Sequence, residues 1–144
     1  MRVTRTMHVD AEPEELLAFF VDSSATPPGM TMEVVHESPE VVGNSYEWTV
    51  KMLGIPRKGV TVYTEYVPGE RVTFRNFGAL QGTATWTVEP AAGGSKATIE
   101  WEAHLAFPMI GRLFDPLLLR QWEKNLEWGK REIEKQSKAE QKTA

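Results

Sequence analysis

Between residues 30 and 107 the chain repeats one pattern six times: a run of alternating polar and apolar side chains, then a cluster of turn formers. The runs are MTMEVVHE, SYEWTVKM, GVTVYTEYV, RVTFRNF, TATWTVE and SKATIEWEAHLAF. The interruptions are ESPEVVGN, LGIPR, PGE, GALQG and EPAAGG. A period of two belongs to strands, because successive Cβ atoms leave the backbone on opposite sides. Connections this short cannot carry a parallel crossover, so the six strands are expected to form an antiparallel meander. A sheet with one apolar face needs a cover. The segment that follows, FPMIGRLFDPLLLRQWEKNLEWGKREIEKQ at 107–136, is long and amphipathic enough to supply it.

In that segment Ile110, Leu113, Phe114, Leu117, Leu118, Trp122, Leu126 and Ile133 recur at helical steps and form the stripe expected to face the sheet. Extra apolar residues crowd before Trp122. Pro116 cannot donate to a helical ladder, so Asp115-Pro116 reads as N-cap and first helical position. A short turn of helix at about 109–114, a break, and a main helix from 116 are predicted. At the other end of the chain, RVTRTMHV is a seventh strand with Val3, Met7 and Val9 on one face. Pro13, Glu14 and Glu15 open a helix buried through Leu16, Leu17, Phe19 and Phe20. SSATPPGM is a turn or a short irregular helix. There are no internal repeats and no linker, so residues 1–144 read as one α+β domain, with 137–144 a polar tail expected to fray.

Alternation sorts the strands into faces. Tyr46, Trp48, Val50 and Met52 share one face, as do Val72, Phe74 and Asn76. Ala84, Trp86 and Val88 follow the same rule, and so do Ala97, Ile99, Trp101, Ala103 and Leu105. Glu100, Glu102 and His104 point to solvent. The strand at 58–67 is open to two readings: Val62 and Tyr66 inward, or Tyr63 and Glu65, with a bulge able to switch between them. Large rings facing Ala84, Ala97 and Ala103 fit either a tightly interdigitated core or a sheet curved round an internal space.

The formal net charge of −4 lacks the basic surplus that phosphate contacts require, so no nucleic-acid partner is expected. With no cysteine, disulfides, thiolate metal sites and Cys nucleophiles drop out. No signal sequence or apolar membrane span is recognisable, and a cytoplasmic protein without stable membrane insertion is the expectation. His8, His36 and His104 fall in different strands, and no metal or cofactor is expected. Glycine-rich segments occupy hairpin turns rather than strand-to-helix phosphate loops. Glu65 is the one candidate general acid or base, on condition that it faces inward and burial raises its pKa.

These pieces, taken in order, resemble the START-like, polyketide cyclase or SRPBCC superfamily. The resemblance rests on VDAEPEELLAFFVD after the first strand, VVGNSYEW with Gly43, YTEYVPGERVTF, GTATWTVEPAAGGSKATIEWE and the long final helix, and it spans about residues 2–135. It implies a helix-grip fold (β-α-α-β6-α), in which a curved antiparallel sheet of about seven strands wraps a long C-terminal helix. It also implies an apolar cavity between sheet and helix that takes a lipid, polyketide or similar hydrophobic molecule. Lining residues would be Tyr46, Trp48, Tyr63, Phe74, Asn76, Trp86, Trp101, Phe114, Leu117, Leu118, Gln121 and Trp122, with the break before Pro116 as its mouth. A carrier or binding protein, monomeric or homodimeric, is the leading expectation. A cyclase or dehydratase acting in the same cavity is the first alternative. A protein-interaction or chaperone-activating module is the second, although no large apolar stripe should remain once sheet and helix cover each other.

Overall fold

A computed structural model describes residues 1–22, 26–52, 54–106 and 111–143. Its elements are β1 (Arg2–Val9), α1 (Pro13–Phe20), β2 (Met30–His36), β3 (Ser45–Met52), β4 (Ile55–Val67), β5 (Arg71–Gly78), β6 (Leu80–Ala91), β7 (Gly94–Leu105), a 3-10 turn at Gly111–Phe114, and α2 (Asp115–Thr143). All seven strands join one antiparallel sheet in the order β1-β7-β6-β5-β4-β3-β2. The meander and the long closing helix therefore match the expectation. The predicted second short helix falls partly on residues 23–25, outside the described residues, and Pro27–Met30 forms a turn.

Two hairpins are tighter than the turn clusters suggested. β4 begins at Ile55, inside LGIPR, and β6 begins at Leu80, inside GALQG. Pro56 pairs with Lys51 beside the hairpin turn, where a missing donor costs the ladder least. A bulge settles the two readings of β4. Tyr63 pairs with Phe74 and Glu65 with Thr73, so Thr64 is the extra residue and the facing pattern switches across it. Tyr63 and Tyr66 both turn to the concave side, one from each reading. Glu65 is sent to the outer face.

The tightest packing lies at the α1 end. Val9, Leu16, Leu17, Tyr46, Val72, Ala97, Ile99 and Ile133 are all at or near complete burial. Phe20 lies against Trp86 with ring centroids 4.0 Å apart, and Phe19 meets Trp128 at 6.2 Å. A Cβ on Gly129 would come within 3.1 Å of the Phe20 ring, so α2 approaches α1 closely there. Two tyrosines tie α1 to the sheet. Tyr63 donates to the carbonyl of Phe20 at 3.0 Å and Tyr46 to that of Val21 at 3.5 Å, partnering carbonyls that a helix end leaves open.

The stripe on α2 differs from the predicted one. Buried or half-buried positions run Leu118, Trp122, Leu126, Gly129, Ile133 and Ser137. Leu113 is 75% exposed and Leu117 52%, so both face solvent. A 3-10 turn advances about 120° per residue and an α-helix about 100°. The change at Asp115 takes Leu113 off the stripe while Phe114 stays half-buried, and Leu117, inside α2, lies about 100° from the inward Leu118. Ile110, the stripe's first member, lies outside the described residues. The helix restarts at Asp115, as the proline requires, and continues to Thr143 through the segment assigned to a polar tail.

Candidate functional site

Strand register converts the sequence into rows across the concave face. One row reads Trp101, Ala84, Phe74, Tyr63, and the next reads Ala103, Gly82, Asn76, Thr61, Tyr46. A third begins Gly78, Gly59, Trp48. The middle of the second and third rows is built from small residues. At Gly59 the reason is visible: an added Cβ would lie 2.1 Å from Trp48 Cζ2, because the indole is laid across the glycine. At Gly82 the constraint is the backbone itself, since φ is +140° and a Cβ would meet the Glu102 carbonyl.

Within this apolar surface the structure assembles one polar chain. Trp48 Nε1 donates to Thr61 Oγ1 at 3.1 Å, and the Thr61 hydroxyl donates to Asn76 Oδ1 at 2.6 Å. Asn76 is 8% exposed. The N-terminal half of α2 stands over the same rows. Trp122 stacks on Trp101, with centroids 4.6 Å apart and planes 8° from parallel, and Leu118 packs on the cluster of Val3, Ala84, Trp101 and Ala103. Arg5 reaches from β1 to Glu123 of α2 at 2.8 Å and closes that side. At the strand ends beyond Gly78 a hollow of about 280 Å³ opens, lined by Pro56, Arg57, Lys58, Gly78, Ala79 and Ala106. None of those six was among the expected lining residues.

The expected residues thus divide. Phe74, Trp101, Leu118 and Trp122 come together at the front of α2, Trp48 and Asn76 join through Thr61 in the adjoining rows, and Phe114 is half-buried in the preceding turn. Tyr46, Tyr63 and Trp86 belong to the packed α1 end. Both tyrosine hydroxyls already donate to α1 carbonyls, and burial pushes the Tyr63 phenol well above its ordinary range. Desolvation, then the nearby charge of Glu37, raises that of Tyr46. Two positions require correction besides Leu117. Gln121 is exposed and bonds Asn125 one turn on, so it does not reach the interior. Glu65 lies on the outer face, where Arg71 Nε donates to it at 2.6 Å and Thr73 at 3.3 Å. The Arg71 hydrogen bond holds its pKa below the usual carboxylate value, so the condition for a general acid is not met. Thr61 escaped the sequence reading. Its inward position depends on residues before the bulge taking odd parity, which only the pairing with Asn76 reveals.

The other titratable groups fall outside this region. His8 pairs with Asp10 and His104 with Gln81, both exposed, and His36 is exposed on edge strand β2. Among the described residues no cluster of three or more His, Cys, Asp or Glu could hold a metal. No helix among them is long and apolar enough to cross a membrane.

A seven-stranded antiparallel sheet gripping a long C-terminal helix, with aromatic side chains between, defines the helix-grip class. Solved structures agree on the fold. TTHA0849 from Thermus thermophilus is 18% identical with a TM-score of 0.75, over 96% of this chain and 98% of that one. CV1439 from Chromobacterium violaceum is 23% identical with a TM-score of 0.71, over 92% and 96%. The di-domain ARO/CYC StfQ of the steffimycin biosynthetic pathway is 14% identical with a TM-score of 0.71, over 99% of this chain and 52% of that one. No curated protein matches the sequence. The family described as polyketide cyclase / dehydrase and lipid transport matches residues 1–136, and the chain belongs to that family.

Proposed function

We propose that the protein binds a hydrophobic small molecule, a lipid, a polyketide or a similar compound, between the concave face and the N-terminal half of α2. One observation carries the reading: the two halves of the helix are packed differently. Gly129, Ile133 and Ser137 are closed against the fold, whereas Leu118 and Trp122, with Phe74 on the facing sheet, stay partly accessible. A helix serving only as a core cover would bury its apolar front as fully as its back. Aromatic walls, a few polar groups and incomplete closure are features of small-molecule sites.

The family description covers both transport and cyclase or dehydrase chemistry. A carrier reading is favoured over catalysis by the position of Glu65, whose carboxylate is paired with Arg71 on the outer face. The test is native mass spectrometry of the purified protein, with solvent extraction and mass analysis of whatever accompanies it. A bound apolar compound, or saturable binding of a hydrophobic fluorophore with quenching of the tryptophans, is the expected result. A protein that carries nothing and binds no such probe would overturn the proposal.

A further inference from the structure

We infer that Asn76 is a specificity-determining donor: its side-chain amide selects apolar ligands that carry a neutral carbonyl oxygen. The inference rests on the binding site proposed above and names the ligand chemistry that site takes. The hydrogen-bond chain has a direction. An indole N–H can only donate, so Thr61 Oγ1 accepts from Trp48 and passes its own proton to Asn76 Oδ1. That uses the acceptor end of the carboxamide and leaves the Nδ2 hydrogens without a partner among the described residues. Bonds donated in series polarise one another, which strengthens the last donor in the chain.

Asn76 is more than nine-tenths buried, and an amide withdrawn from water without a partner carries a penalty. Yet no fully enclosed side-chain polar atom among the described residues lacks a hydrogen bond. Nδ2 therefore abuts accessible space. Its row neighbours are Gly82 and Thr61, with Ala103 beyond, none of which carries a bulky side chain. On the concave face the rungs beside it hold no carboxylate; of the cations on that face, the N-terminal ammonium is held by the Ala103 carbonyl two strands away and Arg57 lies beyond the Gly59 rung. A neutral acceptor fits such a setting better than a charged one, which would leave water without an ion to meet it.

The test uses two fluorophores that differ by one carbonyl-bearing group: 6-propionyl-2-(dimethylamino)naphthalene and 2-(dimethylamino)naphthalene. The wild-type protein should bind the acyl probe about tenfold more tightly, the value of one well-made hydrogen bond in a dry site. Asn76→Leu, close in shape, should bring the two affinities together through loss of the acyl probe alone. It should also abolish the red shift that a hydrogen-bonded carbonyl gives the bound probe. Thr61→Val, which breaks the chain but keeps Asn76, should reduce the preference about threefold. It serves as the second variant if Asn76→Leu does not fold, with thermal melting as the check. Equal binding of both probes to the wild type, or an unchanged preference in a folded Asn76→Leu, refutes the role of Asn76 while leaving the binding site standing. Binding of neither probe to the wild type refutes the site, and this inference with it.

Discussion

Replacing Gly59 by alanine is the most direct way to ask whether Trp48 lies across β4. The new methyl carbon would be 2.1 Å from Cζ2 and 2.4 Å from Cη2 of the indole, both far inside contact distance. Those atoms belong to the rigid ring of a side chain that is 6% exposed, so the whole indole must swing. Overpacking of this kind costs about 1–3 kcal/mol. Moving the ring also breaks the hydrogen bond to Thr61, worth about 1 kcal/mol, while alanine returns up to about 1 kcal/mol by restricting the unfolded chain. The balance is a loss of about 2 kcal/mol. With an unfolding entropy of about 2.1 cal/mol/K per residue, a domain of this size should melt about 7 °C lower. Near-ultraviolet circular dichroism should show the displaced indole before the melt begins. A cycle with Trp48→Phe isolates the contact, since Gly59→Ala should then destabilise by less than about 1 kcal/mol. If Gly59→Ala melts within a degree of the wild type, or costs as much without the indole as with it, the stacked geometry is wrong and the first donor of the Asn76 chain goes with it.

The unequal packing of α2 predicts unequal mutational costs. Ile133→Ala, at 1% exposure, should destabilise by about 2–5 kcal/mol, whereas Leu117→Ala, at 52%, should cost less than about 0.5 kcal/mol in chemical denaturation. Tyr63 predicts an alkaline limit. Its folded pKa is raised by burial, so its contribution is intact below about pH 10, where both folded and unfolded phenols are protonated. Above that pH the unfolded phenol ionises while the folded one stays neutral, and stability should fall. Tyr63→Phe should lower stability by about 1 kcal/mol at neutral pH, through loss of the bond to Phe20, and flatten the decline above pH 10. A decline of unchanged slope would refute the assignment.

What the sequence made legible was whatever depends on period alone. The six strands of the meander, their inward rings at Trp48, Phe74, Trp86 and Trp101, and the restart at Asp115-Pro116 all follow from alternation, turn chemistry and the missing proline donor. Errors arose where one residue of phase decides a face. In β4 the extra residue Thr64 flips everything after it, so neither uniform reading could be right, and Glu65 ended outside while Thr61 and Tyr66 ended inside. In α2 the short 3-10 turn displaced Leu113, and Leu117 lies one residue, about 100°, from the inward position held by Leu118. Both are local helix or strand defects that residue type does not announce. Pairing is what reveals them, and pairing is set by the neighbours.

The same phase errors explain why the site is smaller than the set of aromatic residues suggested. Each inward ring read as a wall, but rings near α1 have structural partners: Trp86 has Phe20, and the tyrosine hydroxyls have the last carbonyls of that helix. The proposed site lies where such partners are absent, in the rows of Ala103, Gly82, Asn76 and Gly59. Because Trp122 and Phe74 touch both packed clusters, they form the boundary between the closed α1 end and the proposed binding region. Substitutions on the closed side should therefore change stability with little effect on ligand preference. Those at Asn76 or Thr61 should change ligand preference as well, at a stability cost of about 1 kcal/mol for each hydrogen bond broken.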